Sequence, residues 1–422
     1  MSMRTANSLL VLVLLLIVLT SGCSPEKKEA RDPRQIRIGA LVDLTGTNAV
    51  SGQAELKAMG LAIEKANDDL LKAGREEYFT LFPCDTHSVA TETHLCLRKL
   101  LMAGVNAVVG PSSDEALIGA HSLANREGML VVAYGGGSVA ASGESDCLLR
   151  SWPTYDLESR MIVDALQRAG VTDVVVIRAN DKHAVETDRA FSVKFLEEGG
   201  KIAYVGDLGL MSNDLNGCVA KAAEAVEVLL ENRRPTQIAV LLLCGEQAAS
   251  VIDAAIDASP SLARVKWFGG STTFFNALDS ASDRVRSFAS HTSLTVISPA
   301  VAEGSAVYSE IAALVARPDK GLGRLKAFFA YDATRIACHA LAEVGFTPYT
   351  SQYVKAAVAG SHALAGATGD LRLTKTGDRA NALYTIWRAG ADGANPWIRI
   401  SDWTTGLGGT RMLRSYESPG AN

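Results

Sequence analysis

The chain has little of several features that would narrow its function. It has no excess of basic residues, since 41 Lys and Arg stand against 46 Asp and Glu, so we expect no nucleic-acid partner. Its N-terminal apolar run, residues 9–19, is about half the ~20 residues that a transmembrane helix needs. Nucleotide-binding glycine motifs are missing after the first strand, and residues 269–273 (GGSTT) lack the second glycine of a nucleophile elbow. We therefore expect no enzymatic activity and no cofactor.

The N-terminal segment has the pattern of an export signal. Arg4 precedes the apolar run, and residues 19–24 (LTSGCS) resemble a bacterial lipobox, whose cysteine takes a diacylglycerol. We therefore expect residues 1–22 to be a signal peptide and Cys23 to carry a lipid that holds the protein at a membrane, outside the cytoplasm. Thr20 stands where the motif usually has leucine, and the alternative is an ordinary signal peptide with an incidental Cys23. The highly charged residues 24–35 predict a solvated tether.

The rest of the chain predicts an α/β fold. From residue 36, short apolar runs typical of strands alternate with segments of helical period. Near-continuous apolar strands separated by helices indicate parallel sheets covered on both faces. The length is too great for one core, so we expect two doubly wound lobes. The irregular stretches suggest that lobe 1 comprises residues 36–151 and 295–370, that lobe 2 comprises 152–294 and 371–415, and that 416–422 form a tail.

The cysteines allow a disulfide. Six remain besides Cys23, and Cys84 with Cys96 is the first pairing to consider because a short segment separates them; buried thiols are the alternative. Cys84, His87, His94 and Cys96 also include residue types that bind zinc. His94 and Cys96, however, lie two apart on a predicted helix and would point to different faces. We expect no metal site.

The loops that follow the predicted strands are rich in small, uncharged residues. They are residues 45–48 (TGTN), 110–113 (GPSS), 134–138 (YGGGS) and 269–273 (GGSTT). Ligands of doubly wound sheets bind beyond the carboxyl ends of the strands, where backbone N–H groups at helix N-termini attract anions. These loops could therefore bind a carboxylate, and the alternative is helix capping and tight turns alone.

The order of several short motifs resembles the type I periplasmic solute-binding proteins, the leucine/isoleucine/valine-binding family. The motifs are IGALVDLTG (38–46), SGQ (51–53), GLAIEKAN (60–67), VVGP (108–111), LRSWP (149–153), YDA (331–333), GATGDL (366–371) and TGDR (376–379). The resemblance implies two lobes joined by three crossovers, which close over a small polar ligand and deliver it to the permease of an ABC transporter. It also implies a monomer. The alternative is a sensory protein that docks on a signalling receptor.

Members of this family hold an amino acid's carboxylate after the third and fourth strands. The corresponding residues here are Ser113, with Ser112, and then Gly135 with Gly137 or Ser138.

The family's acidic residue for the ligand's ammonium corresponds to Ser271, which is uncharged. Asp181 or Glu246 would have to supply that charge, because an ammonium buried without an anion is costly. A solvated loop end or a helix cap is the alternative for both acids.

Overall fold

The computed structural model describes residues 32–139, 142–209, 215–276, 278, 281–315, 322–344, 351–358, 364–391, 396–406 and 408–416. The strands are β1 (Gln35–Val42), β2 (Tyr78–Asp85), β3 (Ala107–Val109), β4 (Leu130–Ala133), β5 (Leu148–Arg150), β6 (Asp173–Ala179), β7 (Lys201–Leu208), β8 (Ile238–Leu243), β9 (Lys266–Gly269), β10 (Thr295–Pro299), β11 (Ala365–Gly366), β12 (Gly369–Asp370), β13 (Asn381–Ala389), β14 (Trp397–Gly406) and β15 (Gly409–Ser415). The helices are α1 (Ala49–Lys72), α2 (Ala90–Met102), α3 (Asp114–Glu127), α4 (Tyr155–Arg168), α5 (Lys182–Glu197), α6 (Leu215–Leu230), α7 (Ala248–Ala258), α8 (Ser271–Asn276), α9 (Asp283–His291), α10 (Tyr308–Leu314), α11 (Leu322–Glu343) and α12 (Ser351–Val358).

The first lobe is built on a five-stranded sheet with the order β2-β1-β3-β4-β5. Side chains of a strand alternate between the two faces of a sheet. Ile38 and Ala40 of β1 accordingly pack in one cluster with residues of α1 and α11, whereas Leu41 packs in another with residues of α2 and α3. Both faces of the sheet are therefore buried under helices, which explains the continuous apolar sequence of its strands.

The second lobe contains an eight-stranded sheet with the order β15-β14-β13-β10-β9-β8-β6-β7. Strands β7, β6, β8, β9 and β10 run parallel, and β13, β14 and β15 continue the sheet in antiparallel pairs. The predicted two-lobed α/β fold with parallel central sheets is thus confirmed. The antiparallel extension was not part of that prediction.

Two of the predicted lobe boundaries are wrong. Strand β10 pairs with β9 and β13, so residues 295–299 belong to the second sheet and not to lobe 1. Leu371 and Leu373 pack in the core of the first lobe, so the last crossover lies after them and not at residue 370. The chain passes between the lobes after β5, after β10 and before β13.

Two buried arginines hold the first and third crossovers together. Arg150 forms an ion pair with Asp378 over 2.8 Å. Arg379 donates from Nη1 to the carbonyl oxygen of Ser151 (3.0 Å) and from Nη2 to that of Asp370 (2.8 Å). Both guanidinium groups thus join the start of the first crossover to the residues that lead into the third.

The structure joins Cys84 at the end of β2 to Cys96 of α2 through a disulfide, the pairing considered first from the sequence. The side chains of Cys147, Cys218, Cys244 and Cys338 are buried. No helix in the described residues is long and apolar enough to cross a membrane. Cys23 and the predicted signal peptide lie outside the described residues.

Candidate functional site

The two lobes contact each other through residues that lie beyond the carboxyl ends of their strands. The Oγ of Ser138, which follows β4 in the first lobe, donates to Glu186 Oε1 of α5 in the second lobe (2.9 Å). Asp114 at the start of α3 accepts a hydrogen bond from the hydroxyl of Tyr155 at the start of α4. We call this region the interlobe site, and its residues are Asp114, Ser138, Tyr155, Glu158, His183, Glu186 and Ser271.

Asp114 directly follows the donor-rich loop predicted at residues 110–113 and is the first residue of α3. Its side chain is only 6% exposed, and its Oδ1 accepts from the backbone N–H of Ser138 (3.1 Å). Its Oδ2 accepts from Tyr155, and burial together with the Asp114 charge raises the pKa of Tyr155 well above its usual value. The carboxylate of Asp114 therefore takes a backbone donor of the first lobe and a hydroxyl donor of the second.

The predicted glycines permit close approach of the backbone at this site. A Cβ on Gly135 would lie 2.0 Å from the carbonyl oxygen of Ser112, and one on Gly137 would lie 2.6 Å from the ring of Tyr155. The carbonyl oxygen of Gly137 also accepts from the backbone N–H of Tyr155 (3.0 Å). Gly137 is thus required where the two lobes meet.

A second carboxylate, Glu158 of α4, lies on the other side of the interlobe site. It is 3% exposed, and its Oε1 accepts from the backbone N–H of Ser271 (2.8 Å), the first residue of α8. Its Oε2 lies 3.3 Å from Nε2 of His183, whose ring packs edge-on against Tyr155 with centroids 4.6 Å apart. Burial opposes charge on both partners, yet their attraction raises the pKa of His183 and, with hydrogen bonds from Ser271, lowers that of Glu158.

Asp181 caps a helix. Its Oδ1 accepts from the backbone N–H of Ala184 (2.8 Å) as the N-cap of α5, which is the alternative considered for it. Glu246 lies in a short 3₁₀ helix, Gly245–Gln247, and its side chain is outside the described residues.

Ser112 and Ser113 face a different space from Ser138. Both line a cavity of about 300 Å³ in the first lobe, together with Asp43 and Lys326. Ser113 is also the N-cap of α3, and its Oγ accepts from the backbone N–H of Ala116 (3.4 Å). The structure therefore brings Gly137 and Ser138 to the interlobe site, whereas Gly135 packs against Ser112 within the first lobe.

The structure shows no group of three metal-ligating side chains among the described residues. Cys84 and Cys96 are bonded to each other, and His94 lies on α2 with its Nε2 accepting from Arg98 (3.2 Å).

Sequence reasoning missed Asp114, Tyr155, Glu158 and His183. All four lie within the first turns of α3, α4 or α5. The available indication was an acidic or polar residue directly after a strand-end loop, as in Asp114 after Ser113.

Comparisons with known proteins agree with this architecture. The model of the receptor family ligand binding region matches residues 54–391. An uncharacterised protein of Methanocaldococcus jannaschii is 23% identical over 247 residues, which span 56% of this chain and 56% of that protein.

Solved structures share the fold. A solute-binding protein of an ABC transporter from Rhodopseudomonas palustris, in complex with 3,4-dihydroxybenzoic acid, is 18% identical with a TM-score of 0.66, over 87% of this chain and 97% of that one. A leucine-binding protein from Thermotoga maritima is 15% identical with a TM-score of 0.62, over 87% and 98%. A substrate-binding protein from Desulfitobacterium hafniense, in complex with Leu, is 15% identical with a TM-score of 0.66, over 87% and 100%.

Proposed function

We propose that this chain, which belongs to the family of receptor ligand-binding regions, is the extracytoplasmic solute-binding protein of an ABC transporter. The observation that carries the proposal is the interlobe site, where polar side chains from two lobes converge beyond the ends of parallel strands. Two of the solved proteins that share the fold are solute-binding or substrate-binding proteins of ABC transporters with small ligands bound. No enzymatic activity is part of this proposal.

The mechanism is reversible capture by hinge closure. The three crossovers let the lobes separate, and contacts such as Ser138 with Glu186 re-form when they close. A small polar solute that bridges the two lobes stabilises the closed state only by the difference in its affinity for the two states. Docking on the permease would favour the open state and release the solute.

Thermal unfolding in the presence of small solutes tests this function. A panel of amino acids, amides, amines and small acids should contain a solute that raises the melting temperature. At 100 times Kd a ligand stabilises the folded state by ~2.7 kcal/mol. Ser138→Ala should weaken binding of that solute, because it removes a contact between the lobes. Ser282→Ala, an exposed helix N-cap whose side chain makes no capping bond, is the matched control. Turnover of a solute without stabilisation would contradict the proposal.

A sensory role is the second candidate, and the description of the matched family, which names receptors, favours it. Neighbouring genes for a permease and an ATPase would support transport. A neighbouring histidine kinase or chemoreceptor would support sensing. Solute binding is common to both, so the interlobe site serves either role.

We also propose that Cys23 carries a lipid anchor and that residues 24–35 tether the lobes to the membrane. Intact-mass analysis of the mature protein should show the mass of acyl chains on Cys23. Cys23→Ser should move the protein from the membrane fraction to the soluble extracytoplasmic fraction. A mature protein without acyl chains would contradict the anchor and leave solute binding unaffected.

A further inference from the structure

The donors at the interlobe site are already bonded to carboxylates of the protein itself. The backbone N–H of Ser138 donates to Asp114, and the backbone N–H of Ser271 donates to Glu158. The hydroxyl of Ser138 donates to Glu186. A carboxylate on a ligand would need these same groups, because backbone and hydroxyl donors are what bind a carboxylate without a permanent cation. Here it would also lie next to buried negative charge.

The charges around the site are unbalanced toward the acidic side. Lys182 pairs with Glu186 over 3.0 Å, and His183 pairs with Glu158. Asp114 forms no salt bridge in the described part of the chain, although its charge is one of those that raise the pKa of His183. Its hydrogen bonds come from a backbone N–H and a tyrosine hydroxyl, which are neutral. Burying a charged group is costly unless it is paired, so a cationic group of a ligand would stabilise this carboxylate, which is 6% exposed and accepts hydrogen bonds only from neutral donors.

We propose that the interlobe site selects a small ligand that carries a protonated amine and no carboxylate, with Asp114 as the residue that determines this specificity. The inference rests on the proposed solute-binding function and names the class of solute. Asp114 acts in two ways: its carboxylate attracts the amine of the ligand, and it repels a ligand carboxylate from the Ser138 N–H. An opposite or like charge within ~4–6 Å changes the free energy by the equivalent of roughly one to three pKa units, so each effect is worth roughly 10- to 1,000-fold in affinity.

Matched ligands test the proposal on the purified full-length protein. Each set contains an amino acid, its amide and the amine left when the carboxylate is removed, such as leucine, leucinamide and isopentylamine. Isothermal titration calorimetry and melting temperature measure binding. We expect at least one set in which the amine or the amide binds and the amino acid binds at least about tenfold more weakly.

Two substitutions separate charge from shape. Asp114→Asn keeps an oxygen for the Ser138 N–H and should weaken amine binding by at least about tenfold. Asp114→Ser frees that N–H and should allow the amino acid of the set to bind. Asp68→Asn removes an exposed acid of α1 and should leave all affinities unchanged. Circular dichroism and the melting temperature without ligand establish that each variant is folded.

The possible failures are distinguishable. A carboxylic acid that binds the wild type as tightly as its amine or amide counterpart, with the same Kd in Asp114→Ser, overturns this inference and leaves solute binding intact. If the only solutes that bind lack an amine, the inference is likewise overturned. If no solute of any class stabilises the wild type or either variant, the solute-binding function itself fails, and the inference fails with it.

Discussion

The buried pair of Glu158 and His183 should contribute strongly to the stability of the second lobe. Glu158 is 3% exposed and accepts hydrogen bonds from Ser271 and His183. Replacing it with alanine leaves a buried N–H without its acceptor and His183 without its anion, and removing one partner of a buried pair costs ~3–5 kcal/mol. Glu158→Gln keeps an acceptor for Ser271, so its cost should be about 2 kcal/mol, typical of a lost hydrogen bond to a charged group.

Urea unfolding at several pH values measures this contribution. The pKa of His183 is higher in the folded than in the unfolded protein. The stability that His183 contributes is therefore fully present below its unfolded pKa and is lost as the pH rises through its folded pKa. The pKa of Glu158 is lowered, so its stabilisation is present above the unfolded pKa and is lost as the pH falls through the folded value. The difference in the free energy of unfolding between wild type and Glu158→Gln should therefore be largest at pH values between the unfolded pKa values of the two groups, ~4.3 and ~6.5.

The control is Asp164→Asn on the same helix. Asp164 pairs with Arg168, whose side chain is 54% exposed, and exposed pairs of this kind contribute ~0–1 kcal/mol. The assignment of Glu158 and His183 as a charged pair would be refuted if Glu158→Gln were as stable as this control and its difference in free energy of unfolding from wild type did not change with pH.

Three further predictions concern the lobes and the cysteines. Gly137→Ala should push Tyr155 away, lower the free energy of unfolding by ~1–3 kcal/mol and increase the radius of gyration in X-ray scattering. Gly60→Ala, where the added Cβ has no atom within 4 Å, should change neither quantity. Equal radii of gyration of the two variants would contradict the contact between Gly137 and Tyr155. Replacing Cys84 and Cys96 together by serine should cost about 3 kcal/mol in urea unfolding, and an unchanged midpoint would contradict a stabilising disulfide. Burial raises the pKa of Cys338 to about 12, so mass spectrometry should find its peptide alkylated only after denaturation; alkylation of the folded protein at pH 8 would contradict this.

Much of the fold is predictable because the local pattern and the tertiary environment agree. Strand β1 alternates between two apolar cores, so its sequence is continuously apolar and identifies a strand covered on both faces. The antiparallel strands β13, β14 and β15 carry polar and charged residues among the apolar ones, and several of their side chains are exposed or half-buried. Such strands give a weaker pattern, which is why the sheet extends further than the sequence indicated.

The lobe boundaries depend on pairing that no local pattern contains. Strand β10 is short and apolar like the strands of either lobe, and only its hydrogen bonds to β9 and β13 assign it to the second sheet. Leu371 and Leu373 likewise belong to the first lobe through packing alone. An irregular stretch of sequence therefore locates a crossover to within several residues, but it does not indicate to which lobe each neighbouring strand belongs.

Four residues of the interlobe site, Asp114, Tyr155, Glu158 and His183, escaped prediction for a related reason. Apolar periodicity recognises a helix where it begins to pack on the sheet, at residue 117 for α3 and at residue 185 for α5. The helices begin earlier, at Asp114 and Lys182, because their first turns project polar groups between the lobes and need no apolar face. These first turns contain Asp114 and His183, and the first turns of α4 contain Tyr155 and Glu158. In a two-lobed fold of this kind, the polar residues just before a predicted helix are therefore the ones to examine first for ligand specificity.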